Sequence, residues 1–338
     1  MQEDERESAF DGARFNRAHA QVLGAGHLTL GLMTPLLRAP DAPADVARET
    51  ALAARAGALG IAALWTRDVP LIIPQGSFGE AAVLDDPFVW LAALALAAPG
   101  TAIGTAAAVL PLRQPLHLAK AAWSLDRLSG GRMILGLGSG DRPEEFAAFG
   151  VGAERDALFR ERWALLRAAL APDADERAPL LETTAGFVPT PAPAARIPML
   201  AVGSARQSLQ WIAAHADGWA TYHREEARQQ GRIALWRRAL EERAGGACKP
   251  FVQSLQLELL ADPAAPAQPL ELGLRAGRHA LLGYLERMAD LGVAHMLLNL
   301  QGPRAVAEQI EELGSEIVPR LPALRAASLT SGRSASYE

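Results

Sequence analysis

The fold turns on one stretch: Leu128-Ser-Gly-Gly-Arg-Met-Ile-Leu-Gly-Leu-Gly-Ser-Gly-Asp-Arg-Pro-Glu-Glu-Phe-Ala-Ala-Phe-Gly150. Its Ser-Gly-Gly opening is a turn, residues 133–137 read as a buried strand, and the strand runs out into Gly138-Ser139-Gly140. Small residues at a strand's end let a flat molecule lie directly on the backbone. Asp141 and Arg142 follow, and Pro143-Glu144 opens a helix, where proline suits the first position. Small residues at a strand's carboxyl end, with charges on the loop beyond, are how parallel α/β proteins build ligand sites.

Working outward, strand candidates fall at 28–33, 61–66, 101–109, 133–137, 198–202, 218–221, 251–260 and 294–300. Helical patterns fill the gaps. Leu118, Ala121, Ala122, Leu125 and Leu128 share one face, as do Leu209, Ile212, Ala213 and Ala216, and then Val306, Ile310 and Leu313. Strands alternating with helices predict a parallel sheet, and eight such units predict an α/β (β/α)₈ TIM barrel. The stretches 67–88, 141–158, 171–197 and 261–279 are then loop insertions, several of them at the C-terminal face. Residues 1–26 read as a polar, surface-draped extension, 27–324 as one barrel domain, and 325–338 as a flexible tail.

The chain has 338 residues, half of them apolar, which is enough for a large core. No run is long enough to span a membrane, and the segment before Leu28 is too polar for a secretory signal. One cysteine, Cys248, excludes an internal disulfide framework and points to the cytoplasm. A net charge of −5 without a basic, aromatic-interleaved stripe excludes nucleic acid as an expected partner. No Cys/His cluster has metal-ligand spacing.

The third strand leaves through Thr105-Ala106-Ala107-Ala108, again tiny side chains. Alone this reads as core packing; beside Gly138-Ser139-Gly140 it reads as one wall of a ring pocket. Val202-Gly203-Ser204-Ala205-Arg206-Gln207-Ser208 passes from strand to helix, where free N–H groups attract an anion and Ser204 adds a donor. A serine N-cap is the plainer reading of that turn. Asp68, just past the second strand, reads equally as a site group and as an ion-pair partner of Arg67. Asp141 adjoins Gly140 and reads as a site group, as does Arg142. His223, after the sixth strand, is the histidine best placed to reach a pocket. No Ser/His/Asp or Cys/His relay can be assembled, and Gly136-Leu-Gly138-Ser-Gly140 departs from the dinucleotide fingerprint at its third glycine.

These residues resemble the bacterial luciferase-like, flavin-dependent monooxygenase superfamily. Leu128-Ser-Gly-Gly-Arg132 leading into Leu135-Gly-Leu-Gly138 and the Val109-Leu-Pro-Leu-Arg113 segment are the broad markers. Trp65-Thr-Arg-Asp-Val-Pro70, Gly140-Asp-Arg-Pro-Glu-Glu-Phe-Ala-Ala-Phe-Gly150, Gln210-Trp-Ile-Ala-Ala-His-Ala-Asp-Gly-Trp219, Lys249-Pro-Phe251 with Gln253-Ser-Leu255, and Leu297-Leu-Asn-Leu300 are similar to a subgroup of luciferase-type oxidoreductases. The resemblance implies a barrel that binds FMN at its carboxyl face and acts as a homodimer. It implies that Ala106 and Ala107 stack the flavin ring, often over a non-prolyl cis peptide, that Gly138, Ser139 and Gly140 line it, and that Gly203, Ser204, Gln207 and Ser208 hold its phosphate. The turn here has fewer hydroxyls than the Thr-Gly-Ser-Ser of that subgroup, and Gln114 stands where histidine is common; Arg142 and Arg206 would compensate.

The expected function is a flavin-dependent oxidoreductase, a two-component monooxygenase that uses reduced FMN and O₂ on a small organic substrate and is served by a flavin reductase. A cofactor that carries the hard chemistry explains the missing acid–base relay. Asp68, Asp141 and His223 are the candidates for substrate positioning or proton delivery. The alternatives are a deazaflavin-dependent hydride-transfer oxidoreductase and a flavin-binding protein without catalysis. Residues 262–279, with Arg275 and Arg278, read either as a lid or as a surface loop.

Overall fold

The computed structural model describes residues 14–24, 26, 28–37, 42–72, 83–152 and 154–321. Its first half runs β1 (Thr29–Thr34), α1 (Val46–Ala58), β2 (Ala63–Thr66), α2 (Pro87–Ala97), β3 (Ala102–Val109), α3 (Pro115–Ser129) and β4 (Met133–Gly138). Three helices follow, α4 (Pro143–Ala148), α5 (Arg155–Ala169) and α6 (Ala174–Thr183), before β5 (Met199–Val202), α7 (Leu209–His215) and β6 (Gly218–Tyr222). The chain ends with α8 (Glu226–Ala244), β7 (Phe251–Leu259), β8 (Gln268–Leu270), β9 (Gly273–Ala276), α9 (Arg278–Asp290), β10 (Val293–Gln301) and α10 (Val306–Glu312). Strands β1 to β7 pair in parallel in chain order, and β10 closes the barrel between β7 and β1. All eight strands expected from the sequence are present. Among the described residues no helix is long and apolar enough to cross a membrane.

Local chemistry sets the helix ends. Asp45 and Asp86 each accept two backbone N–H bonds at the starts of α1 and α2, and Pro87 and Pro115 occupy first-turn positions. The α3 face is as expected from Leu118 to Leu125, but Leu128 is exposed and Ser129 takes the buried place. Ten residues on from Leu118, Leu128 has turned about 80° off that face, whereas Ser129 returns to it. Arg132, next in the chain, is buried, and its guanidinium donates to the carbonyls of Ala95, Ala98, Thr101 and Ser129. It caps the carboxyl end of α2, so the Leu-Ser-Gly-Gly-Arg marker is a structural joint.

Two apolar layers result. The larger lies between the strands and the helices, and the smaller fills the barrel. Within the barrel Trp65 crosses the lumen over Gly31 and Gly104, where any Cβ would come within 2.7 Å of the indole. The foot of the barrel is closed by residues 14–24, which the sequence reading had assigned to a surface-draped extension. Ala18, Val22 and Leu23 are buried against the lumen core. Asn16 donates to Asp126 (2.6 Å) and to the Met133 carbonyl (2.8 Å), and Phe15 bridges to Arg196. Insertion 171–197 precedes β5, so it sits at the amino end and meets this segment. The tail beyond Leu321 lies outside the described residues, as do His27 and residues 73–82 of the loop after β2.

His295 on β10 has a fixed tautomer. The Thr29 hydroxyl donates to the Val22 carbonyl (2.9 Å), so across the 2.7 Å contact the His295 Nδ1–H must be the donor to Thr29 Oγ1. His295 Nε2 then accepts the Trp65 indole N–H at 2.9 Å. Complete burial holds this ring's pKa down at about 3, against 6.5 for a free histidine. Between those values the unfolded chain takes up a proton that the folded one refuses, so stability is full above pH 6.5 and falls as pH drops toward 3. From pH 7 to pH 5 the loss expected from this residue is about 2 kcal/mol. Urea unfolding at the two pH values measures it, and a His295→Gln protein should lack that part of the slope.

Candidate active site at the carboxyl mouth of the barrel

Along a barrel strand alternate residues face the lumen. On β7 the inward residues Ser254 and Gln256 are half-exposed while Phe251, Gln253, Leu255 and Leu257 are buried. On β10 Asn299 is half-exposed between buried Leu298 and Leu300. Opposite, Ala106, Ala107, Ser139, Val202 and Gly203 are half-exposed at the ends of β3, β4 and β5. The lumen therefore opens at this height, above a floor of Trp65, Met33 and Leu297.

The β3–β5 side is flat. Ladder pairing of β3 with β4 is interrupted between Thr105 and Ala108, at the cis Ala106–Ala107 peptide bond. A Cβ on Gly138 would meet only the Ala107 Cβ, at 3.1 Å, and one on Gly203 would meet nothing within 4 Å. Gly140 differs. It turns the chain at a φ of +70°, and a Cβ there would press on Phe146 and Val109 at 2.8 Å, so it packs the loop rather than opening it. Side chains at Gly138 or Gly203 would fill the space that a planar ring needs, so the surface fits a flavin.

Next to it, Gly203, Ala205 and Arg206 take φ values of +65°, +46° and +54°. Left-handed residues in near succession curl backbone N–H groups into a concavity suited to an anion. Ser204 and Arg206 are exposed there, and Ser204 Oγ accepts the Arg206 N–H at 3.3 Å. Gln207 and Ser208, expected in the same phosphate site, are occupied otherwise. Gln207 donates to the Asp156 carbonyl and accepts from Arg160, both at 3.0 Å, which ties the turn to α5. Ser208 Oγ caps α7 by accepting the Trp211 N–H at 3.2 Å. In this structure both side chains serve the scaffold, Gln207 as a brace and Ser208 as a cap whose own O–H donor is unused among the described residues.

The three proton-handling candidates do not converge. Asp68 is buried and pairs with Arg113 rather than with Arg67. Arg113 Nε lies 2.7 Å from Oδ2, Nη2 lies 2.8 Å from Oδ1, and the Val109 N–H adds a bond of 2.9 Å to Oδ2. Burial works against the Arg113 charge, yet Asp68 and Asp86 outweigh it and raise the guanidinium pKa. Asp68 thus holds the exit of β3 in place. His223 bonds at 2.9 Å to the Tyr284 hydroxyl of α9 and lies 3.2 Å from Gln253, which faces the helix layer. Burial lowers its pKa. It serves the outer wall, not the lumen. Asp141 is exposed at the rim, and Arg142 lies 3.3 Å from Glu145. Glu145 was missed from sequence: it is buried beside the rim, and burial pushes its carboxyl up against the pull of Arg142. Ser254, Gln256 and Asn299 were missed too, although a period of two in Ser-Leu-Gln-Leu carries part of the signal.

Segment 261–279 is a hairpin. Strand β9 pairs with β7 over Gln256–Leu259, where β6 has already ended. Arg275 pairs with Glu258 at 2.7 Å and Arg278 with Glu312 at 3.2 Å, so both arginines fasten the hairpin and the α9 start to the barrel. Its backbone bonds extend the pocket's wall, and the lid reading finds no support in them.

This architecture recurs in known structures. An F420-dependent secondary alcohol dehydrogenase, solved with an F420–acetone adduct, superposes with a TM-score of 0.66 at 14% identity, covering 87% of this chain and 99% of that one. The oxygenating constituent of 3,6-diketocamphane monooxygenase from Pseudomonas putida, solved with FMN, gives 0.65 at 13% identity, with coverage of 87% and 99%. At such identities the likeness establishes the fold. Two uncharacterized proteins of Mycobacterium tuberculosis are similar in sequence. One is 27% identical over 209 residues, 62% of this chain and 65% of the relative. The other is 34% identical over 147 residues, 41% and 51% of the two chains. The chain thus spans between half and two thirds of the length of these relatives. The family model described as luciferase-like monooxygenase matches residues 26–310, from just before β1 into α10. With the whole barrel matched and its mouth flattened at β3 to β5, the chain belongs to the luciferase-like monooxygenase family.

Proposed function

We propose that this protein is a flavin-dependent oxidoreductase, the oxygenating half of a two-component monooxygenase that takes reduced FMN from a separate flavin reductase. Its substrates are O₂ and a small organic molecule. The observation that carries this reading is the flat surface of small residues, Ala106, Ala107 and Gly138, above the Trp65 floor. When bound, reduced FMN supplies the electrons for oxygen activation. The chain's own residues do the rest. Ala106, Ala107, Gly138 and Ser139 seat the ring, while the Gly203–Arg206 turn, with Ser204 and the Arg206 charge, binds the phosphate. Trp65, Met33 and Leu297 exclude water from below, and Asp68 fixes the β3 exit through Val109 and Arg113.

Titration with oxidised FMN, reduced FMN and a deazaflavin, followed anaerobically by absorbance and fluorescence, tests the proposal. Reduced FMN is expected to bind at least tenfold more tightly than the other two. Preference for the deazaflavin would make hydride transfer the function, and binding of none would remove the flavin site.

The working unit proposed is a homodimer. Helix α2 reads Pro-Phe-Val-Trp-Leu-Ala-Ala-Leu-Ala-Leu-Ala, with no charged residue, and its outward Val89 and Leu96 are 70% and 77% exposed. A helix that is apolar all round needs cover on both sides, and a twofold-related copy supplies it with the same surface. Leu96→Glu is expected to halve the mass measured by light scattering; an unchanged mass would move the interface elsewhere.

A further inference from the structure

The wall facing the flat surface has a chemistry of its own. Ser254 and Gln256 on β7 and Asn299 on β10 all point into the lumen, and Gln256 and Asn299 are direct partners in the ladder. The register places Ser254 one inward step below Gln256, beside Leu297. Among the described residues none of the three side chains has a hydrogen-bond partner. Asn299 Oδ1 is fully buried and has none either. A buried acceptor without a partner is costly, typically 1–3 kcal/mol, and native cores avoid it without a reason. Because Oδ1 is sealed, the amide's N–H end is the one turned toward open space. The wall therefore offers three uncharged donors: a hydroxyl and two amides.

The charged side chains described beside it on β7, β9, α9 and the β10–α10 stretch are paired with one another. Glu258, the next inward residue on β7, is held by Arg275 at 2.8 Å. Arg278 and Arg304 share Glu312 at 3.2 and 2.7 Å. Arg67 at the β2 exit and Arg142 on the rim are also engaged. Neither β7 nor β10 carries a lysine or arginine to meet an anionic substrate on this wall, whereas a neutral acceptor needs only donors.

We infer that Ser254, Gln256 and Asn299 form the substrate's polar anchor and that the substrate is a small, uncharged, carbonyl-bearing molecule. Its oxygen lies on this wall and its body lies between the wall and the flat surface opposite. The assignment rests on the flavin reading for what happens to the substrate, but the anchor itself is a property of the wall.

Isothermal titration of the full chain with cyclohexanone and with cyclohexanecarboxylate, each with and without FMN, tests it. The ketone is expected to bind saturably, and the carboxylate at least tenfold more weakly. Asn299→Leu and Gln256→Leu should each lower ketone affinity about tenfold and leave FMN affinity within twofold. Asn299→Asp keeps the side chain's shape while losing its N–H donors. It should keep the parent's circular dichroism and bind the ketone at least fivefold more weakly. Equal or tighter carboxylate binding, no saturable ketone binding, or variants that bind the ketone as the parent does would each overturn the inference. Ketone binding that survives while FMN fails to bind would leave the anchor standing and remove the flavin reading; FMN binding without ketone binding would do the reverse.

Discussion

Replacing Asp68 by alanine is expected to cost about 1–3 kcal/mol of folding stability, the usual penalty for leaving buried donors unsatisfied while Asp86 still meets the guanidinium, and most of the flavin affinity with it. The Asp68 side chain is 2% exposed and meets Arg113 in a two-pronged pair. The same carboxylate takes the Val109 N–H, at the end of the strand that carries Ala106 and Ala107. Its loss leaves the guanidinium with Asp86 alone and frees the exit of β3. Urea unfolding and FMN titration on one preparation should therefore move together. The double variant Asp68→Ala/Arg113→Met separates this from a proton-transfer role, because it removes both charges and should recover at least half of the stability and part of the FMN affinity. A carboxylate that delivered protons would behave otherwise. Asp68→Asn would keep stability and FMN binding while turnover collapsed, and removing Arg113 would recover nothing.

That pair shows what a linear reading can and cannot reach. Most of the barrel strands are apolar on both faces because helices cover one side and the lumen core fills the other, so they stand out as runs, and β7 and β10 keep enough alternating leucines to do so despite their polar residues. The flat mouth was equally legible, since Ala-Ala and Gly-Ser-Gly at successive strand ends have few other uses. Asp68 was visible as a charged residue past a strand, but its partner lies 45 positions on, and Arg67 next door was the obvious wrong choice. The foot of the barrel was missed because Ala18, Val22 and Leu23 are few and directly follow a highly charged stretch; only the closed barrel gives them a hole to fill. His223 misled for the same reason. Standing just after a strand says nothing of which side the ring turns to, and the Tyr284 hydroxyl that holds it comes from a helix 61 residues away. Lys249 and Arg132 carry parts of the motifs that marked the resemblance, yet Lys249 ties off the Ala213 and Ala216 carbonyls of α7, as Arg132 does those of α2. The markers belong partly to the scaffold and partly to the site, and sequence alone does not separate them.

Glycine substitutions two residues apart on β4 separate scaffold from site directly. A Cβ at Gly136 would lie 2.1 Å from the Thr105 carbonyl oxygen, a backbone atom that cannot move without β3. Gly136→Ala is accordingly expected to abolish soluble, folded protein. At Gly138 the first atom met is the Ala107 Cβ at 3.1 Å, and beyond it lies the open mouth. Gly138→Val should fold, losing roughly 1–3 kcal/mol to crowding. Its two methyl groups would stand where the ring is proposed to lie, so FMN affinity is expected to drop at least a hundredfold. Ketone binding at Ser254, Gln256 and Asn299, across the lumen, should change far less. Circular dichroism, urea unfolding and the two titrations give four readings on one protein. If Gly138→Val binds FMN as the parent does, the ring is not on β3 and β4, whatever the fold resembles. If Gly136→Ala folds normally, the close approach of β3 to β4 at the Thr105–Ala108 irregularity is not what shapes this wall. The two substitutions thus place the flat surface on physical footing from both sides, one through the backbone that builds it and one through the space it leaves.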